Sequence, residues 1–292
     1  MGKTVTHINF YTPLQRTRIA RIVFGLALVS LLLSFFSHTL LHQLQQPVLK
    51  FPYVDTTYWV MHYLQLPEFI TGHFGVAVLF DLALFASCLL SFLYPLKRLF
   101  IWSFIVLYFV YFITFNTFGC HHTNHKIGFL LIAIPFTVAD YKSFNFLWQG
   151  LRYFMCFAFA DAFLWKFFRL SWLYNSEGML ILKMNQTAFL YLERHTGTAA
   201  FYRWLLQYPG LLQGIYITGM IMEGLFIIGF FTRKYDRFLL LLSLVLPIGF
   251  WLIADTWFFE LLILSLTFIN FNRLYTRYRF AKGIKKGDIT PV

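Results

Sequence analysis

The fold is decided by stretches such as residues 73–95, which read HFGVAVLFDLALFASCLLSFLYP. This stretch contains no lysine or arginine and a single carboxylate, that of Asp81. A transmembrane α-helix needs about 20 consecutive, mostly apolar residues, whereas helices buried in soluble domains use shorter apolar runs. The stretch therefore predicts a helix that crosses a membrane.

The composition of the whole chain agrees with this prediction. Of the 292 residues, 59% are hydrophobic and only 12% are charged, whereas soluble domains contain about 25% charged residues. We predict an all-α fold, a polytopic transmembrane helical bundle of about eight spans that forms a single domain over residues 1–292. The predicted spans lie near 19–41, 73–95, 99–118, 125–141, 150–170, 210–231, 237–254 and 256–271. The fourth is short and contains Pro135, so a re-entrant segment is the alternative there.

The orientation follows from lysine and arginine, which accumulate in cytoplasmic loops. Most of the 24 basic residues fall in the cytoplasm if the N-terminus (1–18) and the basic tail (273–292) lie there. Segments 42–72 and 171–209 then lie outside, and their mixture of apolar and charged residues predicts interfacial helices on the outer face. The net charge of +12 is explained by anionic lipid beside the span ends and requires no nucleic acid. We expect a protein of the bacterial inner (plasma) membrane.

Histidines gather on the outer side of this topology, because all nine except His7 fall there. Neutral imidazoles one helical turn apart bind zinc, iron or copper. His38 and His42 are four residues apart, a spacing that would place them on one helical face. Interfacial histidines are also often only hydrogen-bonded or stacked, so we expect no metal and keep a metal oxidoreductase as a third alternative. The ligands in that alternative would be His38, His42, His121, His122 and His125.

Charged residues within or at the ends of predicted spans are functional candidates, because charge is unfavourable at membrane depth. The alternative is that members near the span ends extend their charged groups to the lipid headgroups. Buried carboxylates must be protonated or paired, and Lys166 and Arg169 are candidate partners. The charged residues of this group are Asp81, Asp161, Lys166, Glu223 and Glu260.

A series of short motifs runs through the chain in a fixed order. The motifs are Arg21-Ile22-Val23-Phe24-Gly25, Thr123-Asn124-His125, Lys166, Trp172-Leu173, Glu177-Gly178 and Glu223. This order resembles the HTTM family, the membrane domain shared by vitamin K-dependent gamma-carboxylases and many bacterial proteins of similar length. The resemblance covers roughly residues 15–272. The DoxX-like membrane families are similar around Leu151-Arg152 and from Glu223 to Arg233.

The resemblance implies roles for three residues. In the carboxylases, an asparagine-histidine pair and a lysine near the lumenal side serve the oxidation of a reduced quinone, with the lysine as base. The matching positions, and hence the catalytic candidates, are Asn124, His125 and Lys166. The carboxylases have two lysines before their tryptophan and a large lumenal domain that holds a protein substrate, whereas this chain has one lysine and no room for that domain. Carboxylation of glutamates in a docked protein is therefore not expected.

We predict quinone-linked redox or peptide-modification chemistry at a polar site on the outer face, with a quinone or other lipid as the cofactor that the protein positions. The expected partners are membrane lipid and another membrane protein or peptide substrate, and no nucleic acid. The alternative is a non-catalytic membrane component that binds a lipid, a quinone or a partner helix. The candidate cofactor-binding residues are His38, His42, Asp161, Arg169 and Glu223.

Overall fold

The computed structural model describes residues 11–44, 60–61, 63–118, 126–254 and 261–271, and every regular element in these ranges is helical. The α-helices are α1 (Pro13–Phe36), α2 (Leu66–Gly72), α3 (Phe74–Leu93), α4 (Arg98–Phe118), α5 (Ile127–Ala133), α6 (Tyr141–Phe168), α7 (Glu177–Leu192), α8 (Gly197–Leu206), α9 (Pro209–Gly224), α10 (Ile228–Phe231) and α11 (Asp236–Ala254). Shorter 3-10 helices are formed by Leu41–Gln43, Ile134–Thr137, Ser171–Leu173, Leu225–Ile227 and Leu261–Phe268.

Five segments are long and apolar enough to cross a membrane. They are Pro13–Gln43, Phe74–Leu93, Arg98–Asn116, Pro209–Phe231 and Asp236–Ala254. They coincide with the predicted spans 19–41, 73–95, 99–118, 210–231 and 237–254. The chain is therefore an integral membrane protein with several helical spans.

The other three predicted spans differ from these five. In the fourth, the helical part is Ile127–Thr137, which is shorter than a membrane-spanning helix, because Pro135 lies in the 3-10 helix that follows α5. The fifth lies within α6, which has 28 residues but also contains Arg152, Asp161 and Lys166. In the eighth, residues 261–268 form a 3-10 helix, and residues 256–260 lie outside the described residues.

The ends of α1 show which local signals the sequence contains. At its start, Thr12 and Gln15 form a capping box: the Gln15 backbone N–H donates to Thr12 Oγ1, and the Thr12 N–H donates to Gln15 Oε1 at 2.8 Å. At its end, α1 stops at Phe36, because His38 has the left-handed φ of 56° and turns the chain back towards the bundle. The prediction that His38 and His42 share one helical face is therefore wrong.

The bundle has one main apolar core. α3 packs against α1 and α4, while α6 packs against α9 and against the 3-10 helix Leu261–Phe268. Phe24 of α1, Trp148 of α6 and Leu264 all belong to this core. A second, smaller cluster joins α7 and α8 to the start of α9 and consists of Leu182, Tyr202, Leu205 and Leu212.

The distribution of polarity is opposite to that of a soluble protein. Large apolar side chains face outwards, for example Leu33, Leu79 and Leu99, which are 63%, 68% and 74% exposed. Several charged side chains are buried, which soluble proteins usually avoid. The outer surface of the bundle therefore suits lipid, and the interior contains the polar groups. Among the described residues, the buried charged ones are Arg16, Asp81, Lys126, Arg152 and Glu223.

Candidate functional site

A cavity of about 1040 Å³ lies between α6, α9 and α11. Its walls are largely apolar, with Phe159 from α6, Ile215 and Met222 from α9, and Phe250 from α11. Small-molecule sites in proteins usually enclose about 300–1,000 Å³. The cavity is therefore large enough for a substantial apolar ligand.

An ion pair lies in the wall of this cavity. Lys166 Nζ of α6 donates hydrogen bonds to Glu223 Oε1 at 2.5 Å and to Glu223 Oε2 at 2.6 Å. The Glu223 side chain is 1% exposed and the Lys166 side chain is 26% exposed, while Nζ lies 5.7 Å from the centroid of the Phe250 ring. The lysine is therefore the member of the pair that a molecule in the cavity can reach.

The Tyr216 hydroxyl extends the polar part of the wall, and it contacts the hydroxyl of Ser171, which does not line the cavity. Ser171 Oγ donates to the Lys166 carbonyl oxygen at 2.9 Å, and the Tyr216 hydroxyl lies 2.6 Å from Ser171 Oγ. Because the single Ser171 proton is used for the carbonyl, Tyr216 is the donor in the second hydrogen bond. Sequence reasoning missed Tyr216, although it precedes Glu223 by seven residues, a spacing that places both on one helical face.

Helix α7 closes one end of the cavity, and α8 packs against α7. Gly178, at the start of α7, lines the cavity and donates its backbone N–H to Gln213 Oε1 at 3.2 Å. A Cβ atom at Gly178 would collide with the backbone carbonyl of Leu212 on α9. The Tyr202 hydroxyl of α8 donates to the Leu252 carbonyl at 2.8 Å, which ties α8 to α11. The glycine of the Glu177-Gly178 motif is thus explained by a close helix contact.

The structure brings together only some of the predicted site residues. Lys166 and Glu223 are in contact, but Asp161 is exposed on another face of α6 and does not line the cavity. Arg169 is also exposed, and its Cζ lies 5.6 Å from the centroid of the Trp165 ring. The other candidates between the fourth and fifth helices lie outside the described residues: His121, His122, Asn124 and His125.

A separate polar cluster surrounds Asp81 of α3. Its carboxylate accepts the backbone N–H groups of Leu41 at 3.3 Å and His42 at 2.9 Å, and His42 Nδ1 lies 2.8 Å from Asp81 Oδ2. His38 is exposed, with Nδ1 3.4 Å from Gln43 Nε2. The two histidines thus belong to a turn that Asp81 holds in place, and neither lines the cavity. Within the described ranges, no group of three His, Cys, Asp or Glu side chains could hold a metal.

Lys126 is a buried charged residue whose environment the sequence did not reveal. Its side chain is almost fully buried, and Nζ donates to the Tyr111 hydroxyl at 3.0 Å and to Ser34 Oγ at 3.3 Å. Nζ also lies 4.4 Å from the centroid of the Phe115 ring, within range of a cation–π interaction. These contacts tie the start of α5 to the ends of α1 and α4.

Two arginines, Arg152 and Arg16, connect the ends of different helices. Arg152 Nη2 lies 2.5 Å from Asp236 Oδ1, and its guanidinium also donates to the Gly229 carbonyl at 2.9 Å. Arg16 donates to the carbonyl of Phe136 at 2.9 Å and to that of Ala139 at 3.0 Å. Arg152 thus fixes the start of α11, and Arg16 satisfies carbonyls that the short helix before α6 leaves without partners.

No family model, no curated protein and no solved structure matches this chain. The structure defines its class as a helical, multi-pass membrane protein with a largely apolar cavity and an ion pair in the cavity wall. The function must therefore be argued from that site.

Proposed function

We propose that the cavity between α6, α9 and α11 binds a membrane lipid of the quinone class, with the polar head of the lipid at Lys166. The observation that carries this proposal is a large, mostly apolar cavity with a single ion pair, Lys166 and Glu223, in its wall. A quinone combines an apolar chain with oxygen atoms that accept hydrogen bonds. The Lys166 ammonium lines the cavity and has a third N–H besides the two that it donates to Glu223, so the residues present fit such a ligand.

The exposure of the wall supports access from the membrane. Leu211, Ile215 and Val245 line the cavity, and they are also 46%, 39% and 45% exposed on the surface of the bundle. The cavity therefore opens between α9 and α11. A lipid can move into it sideways without crossing water.

The ion pair is suited to the role that the HTTM resemblance assigns to the lysine. A bound quinone would supply the redox chemistry. Glu223 is in hydrogen-bond contact with Lys166 Nζ, so the lysine can transfer a proton to Glu223 and become a neutral base. The transfer replaces an ammonium and a carboxylate by two uncharged groups, which lowers the cost of burying the pair at this depth. In the non-catalytic alternative, the same pair would only bind the head of the lipid.

We also propose that the chain crosses the membrane eight times, and contacts to α1 support a full crossing by the fourth span. Arg16 and Ser34 lie 18 residues apart on α1, which corresponds to about 27 Å of helix. Lys126 contacts Ser34 at one level, and the carbonyl of Ala139 contacts Arg16 at the other. The segment between Lys126 and Ala139 therefore extends over the same thickness as α1, although little of it is α-helical.

Contacts between α6 and α11 support a crossing by α6. Arg152 of α6 pairs with Asp236 at the start of α11, and Lys166 lies over Phe250 of α11. Both intervals contain 14 residues, which correspond to about 21 Å of helix. The two helices therefore run side by side through the same layer.

The ends of the described chain lie together, which supports an even number of crossings. The Tyr11 hydroxyl donates to the Ile269 carbonyl at 3.1 Å. Both ends lie in basic parts of the sequence, so we place both termini in the cytoplasm of a bacterial inner membrane. α7, which closes the cavity at the opposite end, and α8, which packs against it, are then the interfacial helices of the outer face.

The test is the identity of the lipid that co-purifies with the protein. Wild-type protein, Lys166→Met, Glu223→Gln and the control Lys183→Met would be extracted with organic solvent and analysed by mass spectrometry. Lys183 is a suitable control because it is exposed on α7 and does not line the cavity. We expect about one quinone-class lipid per chain in the wild type and the control, with a clear loss in Lys166→Met. Phospholipid alone, in equal amounts in all variants, would contradict the proposal.

A second measurement separates catalysis from binding alone. If Lys166 acts as a base, Lys166→Arg should retain the lipid but lose function in a complementation assay, because a guanidinium does not release its proton. Full complementation by Lys166→Arg would favour the non-catalytic alternative.

A further inference from the structure

Asp161 is an exposed carboxylate on a face of α6 that surrounds it with aromatic side chains. Phe157, Trp165 and Phe168 of the same helix are 56%, 65% and 74% exposed. Among the described residues, no hydrogen bond and no ion pair of Asp161 is found. An unpaired carboxylate therefore projects from an otherwise apolar helix surface.

The depth of Asp161 follows from the ion pairs on either side of it. Arg152, which pairs with the first residue of α11, precedes Asp161 by nine residues, or about 13 Å of helix. Lys166 follows it by five residues, or about 7 Å. Because α11 is 19 residues long and qualifies as a membrane span, Asp161 lies level with the middle of α11. It is thus far from both membrane surfaces.

Charged side chains at this depth nearly always face the interior of a bundle and are paired. Lys166 and Glu223, which lie closest to this depth, follow the rule. Asp161 departs from it, because it faces outwards. A cation would remove this conflict, and the described residues place none beside Asp161.

We propose that the face of α6 around Asp161 docks a transmembrane helix of another membrane protein, which brings a lysine or arginine to Asp161. The inference rests on the proposed crossing by α6 and is independent of the lipid in the cavity. Exposed aromatic side chains supply contact area for such a helix, and the carboxylate selects a basic partner over a purely apolar one.

A second copy of the chain fits this surface less well. A parallel two-fold contact would place Asp161 against Asp161, because such an interface uses the same surface on both subunits. Arg169, an exposed cation directly after the helix, lies eight residues further along, or about 12 Å. The charge on this face therefore complements a different protein.

The experiment is photo-crosslinking of the full-length chain in its native membrane. A photo-reactive amino acid would replace Phe157, one turn before Asp161, and a control would carry it at Leu79, which is 68% exposed on α3. We expect the Phe157 position, and not the Leu79 position, to crosslink to a membrane protein with a basic residue in a span. Asp161→Asn should lower the yield about tenfold, and Asp161→Glu should retain it. Asp161→Lys combined with an acidic replacement of the partner's basic residue should restore the crosslink.

Three results would overturn the inference: a crosslink only to a second copy, a crosslink only to lipid, or a yield that Asp161→Asn leaves unchanged. An Asp161→Cys variant tests the underlying topology separately. Reaction of this cysteine with a membrane-impermeant maleimide would refute the crossing by α6 and the docking surface with it. Protection from the reagent without a crosslink would refute the docking surface alone. The amount of co-purified lipid should be the same in Asp161→Asn as in the wild type. A failure of the docking surface would then be distinguished from a failure of the proposed lipid site.

Discussion

Replacement of Lys166 by methionine removes one partner of the buried ion pair and leaves the other in place. Glu223 is then 1% exposed with no cation beside it. Breaking a buried ion pair on one side costs about 3–5 kcal/mol, because the remaining charge has lost both water and its partner. Glu223→Met should cost less, about 1.5–3 kcal/mol, because Lys166 lies two residues before the end of α6, where a long side chain can bring its charge to a polar environment.

The double variant Lys166→Met/Glu223→Met gives the decisive comparison. Replacement of both charges by apolar side chains of similar volume is often neutral or stabilising, so the double variant should be more stable than Lys166→Met alone. The assay is unfolding in mixed detergent, followed by tryptophan fluorescence, on all four members of the cycle. We expect a coupling free energy of at least about 1.5 kcal/mol. A coupling near zero would refute the contact between Lys166 and Glu223 and the description of the site.

The same double variant separates stability from function. If the pair only stabilises the bundle, the folded double variant should keep its co-purified lipid. If the pair binds the head of the lipid, as we propose, the double variant should be stable and lack the lipid. The two roles thus lead to different measurements on one protein.

Other contacts lead to further predictions. Arg152→Met leaves Asp236 and two backbone carbonyls without their donor, and should lower the free energy of unfolding by about 3–5 kcal/mol in the same assay. Gly178→Ala forces α7 away from α9 and should lower it by about 1–3 kcal/mol, with loss of bound lipid. The Asp140 carboxylate accepts a hydrogen bond from the Ser143 N–H, which is the main cause of its lowered pKa. The charged carboxylate therefore stabilises the start of α6 at pH values above the ordinary pKa of aspartate. This stabilisation is lost as the pH falls through the lowered pKa. The difference in melting temperature between wild type and Asp140→Ala should therefore be larger at pH 7 than at about pH 3.

Matched controls make these results specific. Arg237 is exposed near Asp236, so Arg237→Met should have little effect. Gly197 has no atom within 4 Å of an added Cβ, so Gly197→Ala should not destabilise the protein. Asp140→Asn keeps the cap without the charge and should not show the pH dependence. An equal loss in the control and the test variant would show that the named contact is not the cause.

The helical class and five of the spans could be predicted because they depend on composition and length alone. Apolar stretches near 20 residues recur along the chain, and the structure shows a helix at each of five of them. The fourth span differs from the predicted long helix because Pro135 lies in a 3-10 helix that follows the short α5. The backbone carbonyl of Phe136 is then bound by the Arg16 side chain. This arrangement requires a contact between Arg16 and Phe136, which are more than 100 residues apart in the sequence.

The angle between two residues around a helix also determines whether they can belong to one site. Asp161 and Lys166 are five residues apart, which corresponds to about 140° around a helix with 3.6 residues per turn. Both were assigned to one site from their depth, although this angle places them on different faces. Tyr216 and Glu223 differ by about 20°, so their presence on one wall could have been deduced.

The partner of the Asp81 carboxylate cannot be predicted from helical geometry. Its depth within α3 made a functional or proton-binding role as reasonable as a structural one, and both require a partner for the carboxylate. The partner is a turn of the backbone: the N–H groups of Leu41 and His42 and one ring nitrogen of His42 occupy the carboxylate. That turn exists because His38 adopts a left-handed conformation just after α1, and few residues other than glycine, asparagine and aspartate do so readily. The sequence therefore favoured a longer helix and two histidines on one face, whereas the buried carboxylate stabilises the reversal of the chain. Asp81 is thus satisfied by a turn of the backbone, whereas Glu223 is satisfied by an ion pair between helices, and the periodicity of the helices predicts only the second kind of contact.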